Sequence, residues 1–370
     1  MAELIVRDLW KSYGSIQAVQ GLSFELKEGE VLGILGPSGA GKTSTLKLIA
    51  GVIPLDRGEI ILNGQLINAV PTKQRDIAMV FETYALYPHM SVYDNLAFPL
   101  RAPGRNLSEA EIDARVRWAA DLLHIPELLH RRPKELSSGQ RQRVSLGRAI
   151  VRKPAIFLMD EPISHLDAKL RHFMRAELKK MLEDTVSTST IYVTHDYTEV
   201  MALADRALVL NKGQTQQSGT PDEIFNLPAN QFVAHVVGSP PINFLPCRLT
   251  SEDGRLYFEG RGQAFRVGVP DRFKDAAQSR AQDGLILGVR PVDISFSFQP
   301  DEKHDIPAEV YVFEPLGAKG ILTVTIGNDR AQIVTSHDVN VTMGDRLWLA
   351  FDPDRLHVFD AQTTRNILVE

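Results

Sequence analysis

The run Gly36-Pro37-Ser38-Gly39-Ala40-Gly41-Lys42-Thr43-Ser44 carries the spacing G-x-x-x-x-G-K-[ST]. These residue types at this spacing suit a phosphate chain. The glycines let the backbone turn tightly and aim several N–H groups at one point, and a helix starting there adds its positive end. Lys42 would reach the β- and γ-phosphates, and the Thr43 hydroxyl would ligate Mg²⁺. Further along, the apolar residues Ile156, Phe157, Leu158 and Met159 run directly into Asp160 and Glu161. Carboxylates at the C-terminal end of a buried strand lie where ligands of open α/β sheets bind. Asp160 is thus a candidate Mg²⁺ ligand, and Glu161 a candidate for polarising an attacking water. Residues 190–194 read as another strand and deliver His195 to the same edge. Tyr13 precedes the phosphate-loop strand in a short loop, which makes stacking on an adenine the reading to test.

These side chains need a scaffold. Residues 30–35 read as a buried strand, and 45–50 as a helix stopped by Gly51. Strand patterns occupy 4–9, 18–26, 58–62 and 77–81, with an Asn63-Gly64 turn after the third. A mostly helical insert follows, roughly residues 84–153. Within it, Ser108 and Glu111 have capping-box spacing, and Ile112, Val116, Ala119 and Leu123 share a helix face. The insert ends with Leu136-Ser137-Ser138-Gly139-Gln140 and a helix reaching residue 150. Leu170, Met174, Leu178 and Leu182 mark the next helix. Gly238-Ser239-Pro240-Pro241 reads as a linker, dividing the chain into domains 1–237 and 238–370. Beyond it, short strands at 256–259, 285–289 and 346–351 point to a small barrel or sandwich.

Bulk properties narrow the classes. A length of 370 residues calls for two or three domains. Asp plus Glu at 46 against Lys plus Arg at 41 leaves a charge of −5, which argues against a broad nucleic-acid surface. No apolar run reaches the roughly 18 residues of a membrane span, and the N-terminus has no signal-peptide pattern. Cys247 is the only cysteine, which rules out intramolecular disulfides and cysteine-based zinc sites. The expectation is a cytosolic protein that acts at a membrane only through other chains.

The order of these motifs resembles that of ATP-binding-cassette (ABC) transporter ATPases, and more narrowly the maltose-type subfamily that energises solute import. The phosphate loop, the signature 136–140, Asp160-Glu161-Pro162, the turn Leu166-Asp167 and the switch histidine His195 carry it. The stretches 81–90, 238–244 and 288–291 add the importer character. The resemblance implies an α/β P-loop nucleotide-binding domain with a helical subdomain, followed by a small all-β, OB-like regulatory domain. It implies ATP and Mg²⁺, and two cassettes paired head to tail. Each ATP would lie between one chain's phosphate loop and the other's Ser137, Gly139 and Gln140. Tyr13 would then stack on adenine, Glu161 act as general base and His195 touch the γ-phosphate.

The partners so implied are two membrane permeases, gripped by the loop after Phe81 and the helical insert. A second ATPase copy or a paralogous ATPase completes the pair, and a periplasmic or lipid-anchored solute-binding protein acts indirectly. Nucleic acid is not among them. The chain would sit peripherally on the cytoplasmic face of the membrane and energise uptake of a sugar, a polyol such as glycerol, or a glycerol-phosphate-type solute. Two other readings stay open here: a soluble ABC-type ATPase acting on nucleic acid or ribosomes, and a polysaccharide-exporter ATPase.

Two residues depart from the family pattern. Glu82 stands where glutamine is usual, at a position that touches Mg²⁺ and the nucleotide. Repulsion between unit charges about 4 Å apart is roughly 4 kcal/mol at an effective dielectric of 20, so slow turnover is expected. Ser138 replaces glycine, and a positive φ there would strain it by roughly 1 kcal/mol.

Overall fold

The computed structural model describes residues 3–81, 83–102, 104–164, 166–182, 188–280 and 284–369. The chain divides into two compact units, Met1–Pro221 and Asp222–Glu370.

The first unit opens with β1 (Leu4–Tyr13), β2 (Ile16–Leu26) and β3 (Val31–Leu35), then α1 (Lys42–Ile49), β4 (Arg57–Leu62), β5 (Gln65–Leu66) and β6 (Ile77–Val80). The helical stretch holds α2 (Val92–Ala97), α3 (Glu109–Leu122) and α4 (Ser138–Ile150). After it come β7 (Ile156–Asp160), α5 (Ala168–Lys180), β8 (Ser189–Thr194), α6 (Tyr197–Leu203), β9 (Arg206–Asn211) and β10 (Gln214–Gly219). A four-stranded antiparallel sheet has the order β2-β1-β4-β5, and a six-stranded sheet the order β10-β9-β3-β8-β7-β6. In the larger sheet β9, β3, β8, β7 and β6 run parallel, and β10 closes the edge as an antiparallel hairpin with β9.

The parallel strands are uniformly apolar because both faces are covered. Ile156 and Leu158 of β7 join a core with Leu9, Phe24 and Leu46, whereas Phe157 and Met159 join one with Val92, Val116 and Val144. The strand period of two thus sends alternate residues of one strand into two cores. Helix starts are set by local side chains. Ser108 Oγ accepts the Glu111 N–H while Glu111 Oε2 accepts the Ser108 N–H, at 3.3 and 2.8 Å, as the capping-box spacing predicts. The Asn63-Gly64 turn is present, both residues having positive φ (50° and 76°).

The second unit begins within α7 (Pro221–Asn226) and continues through α8 (Gln231–Val236), β11 (Asn243–Glu252), β12 (Arg255–Gly260), β13 (Arg266–Gly268), α9 (Lys274–Ser279) and β14 (Leu285–Val289). It ends with β15 (Ile294–Ser297), β16 (Ile306–Leu316), β17 (Lys319–Ile326), β18 (Asp329–Ser336), β19 (Arg346–Phe351) and β20 (His357–Asp360). Two five-stranded antiparallel sheets form, β13-β12-β11-β14-β20 and β15-β19-β16-β17-β18. Their inward residues, among them Leu245, Phe258, Leu287, Leu322, Leu347 and Val358, make one core. Cys247 is buried in it, and that burial pushes its thiol up to about 12.

The unit boundary falls before the expected division at residue 237. Residues 222–237 go with the β region because side chains there bind them. Arg290 donates from Nη1 to Val237 O (2.6 Å) and from Nη2 to Phe225 O (2.5 Å). Asn366 Nδ2 donates to Pro228 O, and its backbone N–H to Ala229 O, both at 2.9 Å.

Candidate nucleotide site

The C-terminal ends of β3, β7 and β8 lie side by side in the parallel sheet. The phosphate loop leaves β3 there and enters α1 at Gly41, whose φ is 99°. A Cβ on Gly41 would run into the Ala18 carbonyl oxygen, and one on Gly36 into that of Leu210. Glycine at these two positions is therefore a requirement of space, and at Gly41 of backbone conformation too. Lys42 is 5% exposed and turns back across the loop, donating from Nζ to Gly36 O (2.8 Å) and Pro37 O (3.0 Å).

Side chains from three strand ends meet around it. Thr43 Oγ1 donates to Asp160 Oδ1 at 2.9 Å. Lys42 Nζ lies 3.7 Å from Glu161 Oε1, and Glu161 Oε2 lies 2.9 Å from His195 Nδ1. With Glu161 ionised, the His195 Nδ1–H is the donor. Glu161 has a left-handed backbone, φ 46°, which costs a non-glycine residue about 1–3 kcal/mol. Two bonds hold it there: its N–H donates to Val193 O at 2.9 Å, and Ser164 Oγ donates to its carbonyl at 3.0 Å.

Of the expected site residues, the structure gathers residues 36–44, Asp160, Glu161 and His195 into one place. Tyr13 is the last residue of β1, 46% exposed on the β1–β2 hairpin, with Lys11 Nζ 5.8 Å from its ring centre. Ser137, Gly139 and Gln140 form the start of α4 and bond to one another. Gln140 N–H donates to Ser137 Oγ (3.3 Å), and Gln140 Oε1 accepts the Ser137 N–H (2.9 Å). A Cβ on Gly139 would press on Leu170 Cδ2 at 2.5 Å. Ser138 corrects an expectation: it is the first residue of α4 and is absent from the positive-φ residues, so the anticipated strain does not arise. Glu82 lies outside the described residues.

Sequence reasoning passed over Arg171 and Arg175 of α5, and Asp196 and Thr198 at the start of α6. Their signal is spacing, for Arg171 and Arg175 sit one helical turn apart and follow Asp167, the N-cap of α5. No helix among the described residues is long and apolar enough to cross a membrane.

Comparison with known proteins agrees with this geometry. Residues 19–164 match the family model described as ABC transporter, 238–294 that of the MalK OB fold domain, and 287–359 that of the TOBE domain. The trehalose/maltose import ATP-binding protein MalK of Thermococcus litoralis is 46% identical over 99% of this chain and 100% of its own length. The sn-glycerol-3-phosphate import ATP-binding protein UgpC of Cupriavidus pinatubonensis is 43% identical, again over 99% and 100%. An ATP-binding cassette captured as a dimer after hydrolysis, with ADP and phosphate, superposes with a TM-score of 0.53. It is 27% identical and covers 59% of this chain and 98% of its own. The chain belongs to the ABC transporter ATPases, in the maltose-importer type whose C-terminal region combines an OB fold with a TOBE domain, and it binds and hydrolyses ATP.

Proposed function

We propose that the chain hydrolyses ATP at the edge formed by β3, β7 and β8 to energise import of a sugar, polyol or glycerol-phosphate-type solute. The observation that carries this is the meeting of Lys42, Thr43, Asp160, Glu161 and His195 where the phosphate loop opens. Residues 36–44 would wrap the phosphates, with Lys42 neutralising charge and Tyr13 stacking on the base. Glu161, held by His195, would take the proton of the attacking water. Thr43 Oγ1 and Asp160 are hard oxygen donors 2.9 Å apart and fit Mg²⁺, which would offset phosphate charge.

Relatives named for import of trehalose and maltose, glycerol-3-phosphate and sulfoquinovosyl glycerol support the solute class. A dimeric cassette among the similar structures supports head-to-tail pairing, with Ser137, Gly139 and Gln140 closing the other chain's site. The second chain is a copy or a paralogue. A cavity of about 120 Å³ lined by Phe81, Tyr84, Ala85, Pro99, Arg148 and Arg152 supports a docked permease element. With permeases and a solute-binding protein as partners, the chain works from the cytoplasmic face.

Glu161→Gln tests the reading. Hydrolysis should fall on the order of 10²–10⁴-fold while ATP binding persists, because only the base is lost. Turnover near that of the unaltered protein would remove Glu161 from this role.

A further inference from the structure

Both partners of the Glu161–His195 contact are tied to the same helix. Arg171 and Arg175, four residues apart on α5, point to the two loops that carry them. Arg171 Nη2 donates to the carbonyls of Ser164 and Leu166, each at 3.0 Å. Ser164 in turn donates from Oγ to the Glu161 carbonyl at 3.0 Å, and its N–H reaches the same oxygen at 3.3 Å. The left-handed turn at Glu161 is thus followed at once by a loop that Arg171 holds by its carbonyls.

The second arm runs to the histidine. Arg175 Nη1 donates to Thr198 Oγ1 at 2.8 Å. That hydroxyl donates to Asp196 Oδ1 at 2.7 Å, and the same oxygen accepts the Thr198 N–H at 2.8 Å. Asp196 follows His195 directly, and its N–H donates to Thr194 Oγ1 at 3.0 Å. Below this loop the Tyr192 hydroxyl donates to Glu199 Oε2 at 2.9 Å, fully buried, and fixes α6 on β8.

We infer that Arg171 and Arg175 are positioning residues: α5 acts as a strut whose two guanidinium groups set the distance between Glu161 and His195. Guanidinium suits the task, since its planar fork serves two carbonyls at once, which an ammonium cannot do in the same geometry. The effect on rate would come through Glu161, so the inference rests on the reading of Glu161 as the base. Misplacement by about 1 Å costs on the order of 10²-fold in rate.

The experiment uses the full chain, with ATP affinity and single-turnover hydrolysis measured separately. Arg171→Ala should lower hydrolysis on the order of 10²-fold and leave ATP affinity unchanged. Arg171→Lys should stay slow, and added guanidinium should restore the Arg171→Ala protein. Combined with Glu161→Gln, Arg171→Ala should add no further loss, because both act through one group. Arg175→Ala and Thr198→Val should each slow hydrolysis, and together no more than either alone. Parallel loss of affinity and hydrolysis, or a full additional loss on the Glu161→Gln background, would overturn the inference. If Arg171→Ala does not fold, the Arg175 and Thr198 pair decides by the same criteria. Unchanged hydrolysis in Glu161→Gln removes both the base and the strut, whereas its loss with Arg171→Ala and Arg175→Ala unaffected removes the strut alone.

Discussion

At the edge of the first unit's parallel sheet, Thr43, Asp160, Glu161 and His195 bond to one another across strand ends. Buried polar groups of the second unit turn instead to backbone. Asn243 Nδ2 donates to Val289 O (3.1 Å) and Gln332 O (2.9 Å), and its Oδ1 accepts the Gln332 N–H at 2.7 Å. Arg290 and Asn366 are used likewise on residues 225–237. The contrast separates two uses of buried polarity. A side chain that answers a backbone carbonyl fixes the path of the chain. Acid and base groups brought together from separate strands hold charge where a ligand's charge can meet it, at the expense of strain such as that of Glu161.

The largest expected effect breaks the first side of that contrast. Gly41→Ala should abolish tight ATP binding. Left-handed backbone costs about 1–2 kcal/mol, close to tenfold in affinity, before the contact with the Ala18 carbonyl is counted. Equilibrium binding of ATP is the measurement, and retained affinity would show that the loop does not need this geometry.

Arg290→Met attacks the other side. It leaves the Val237 and Phe225 carbonyls without their donors, at about 1–3 kcal/mol for each that stays buried. Denaturant unfolding should show the second unit destabilised while ATP binding by the first is unaltered. Coupled loss of both would mean that the two kinds of polarity are not separable in this chain.

The smallest effect concerns His357, the first residue of β20. Burial, with Arg290 and Arg272 nearby, lowers its pKa from 6.5 to about 3. The folded form therefore stays neutral where the unfolded form takes a proton. Stability from this group is full above pH 6.5 and falls on acidification toward about 3, by up to about 1.4 kcal/mol per pH unit. His357→Phe should flatten that part of the pH profile of second-unit unfolding; an unchanged slope would assign it to other groups.

What was legible in the sequence follows from distance along the chain. The phosphate loop, the acidic strand end and the Ser108 capping box are local signals, read within a few residues of one another. The unit boundary is not local. Pro240-Pro241 is a linker by composition, yet Arg290 and Asn366 reach back over 53 and 138 residues to hold the segment before it. Ser138 misled for a different reason, since a glycine in a family pattern does not by itself imply positive φ. Its place as the first residue of a helix capped by Ser137 gives serine an ordinary conformation. Arg171 and Arg175 were invisible because an arginine pair on a helix reads as solvated surface until the loops it grips are known.

Cys247 carries a practical consequence. Thiolate is the reactive form of cysteine, and a thiol held at about 12 inside β11 presents almost none of it at neutral pH. With no other sulfhydryl in the chain, alkylation becomes a clock for one event, the opening of the second unit's core. Reaction rates read at increasing ATP would report how firmly that core stays shut while the nucleotide turns over elsewhere, with no label to introduce.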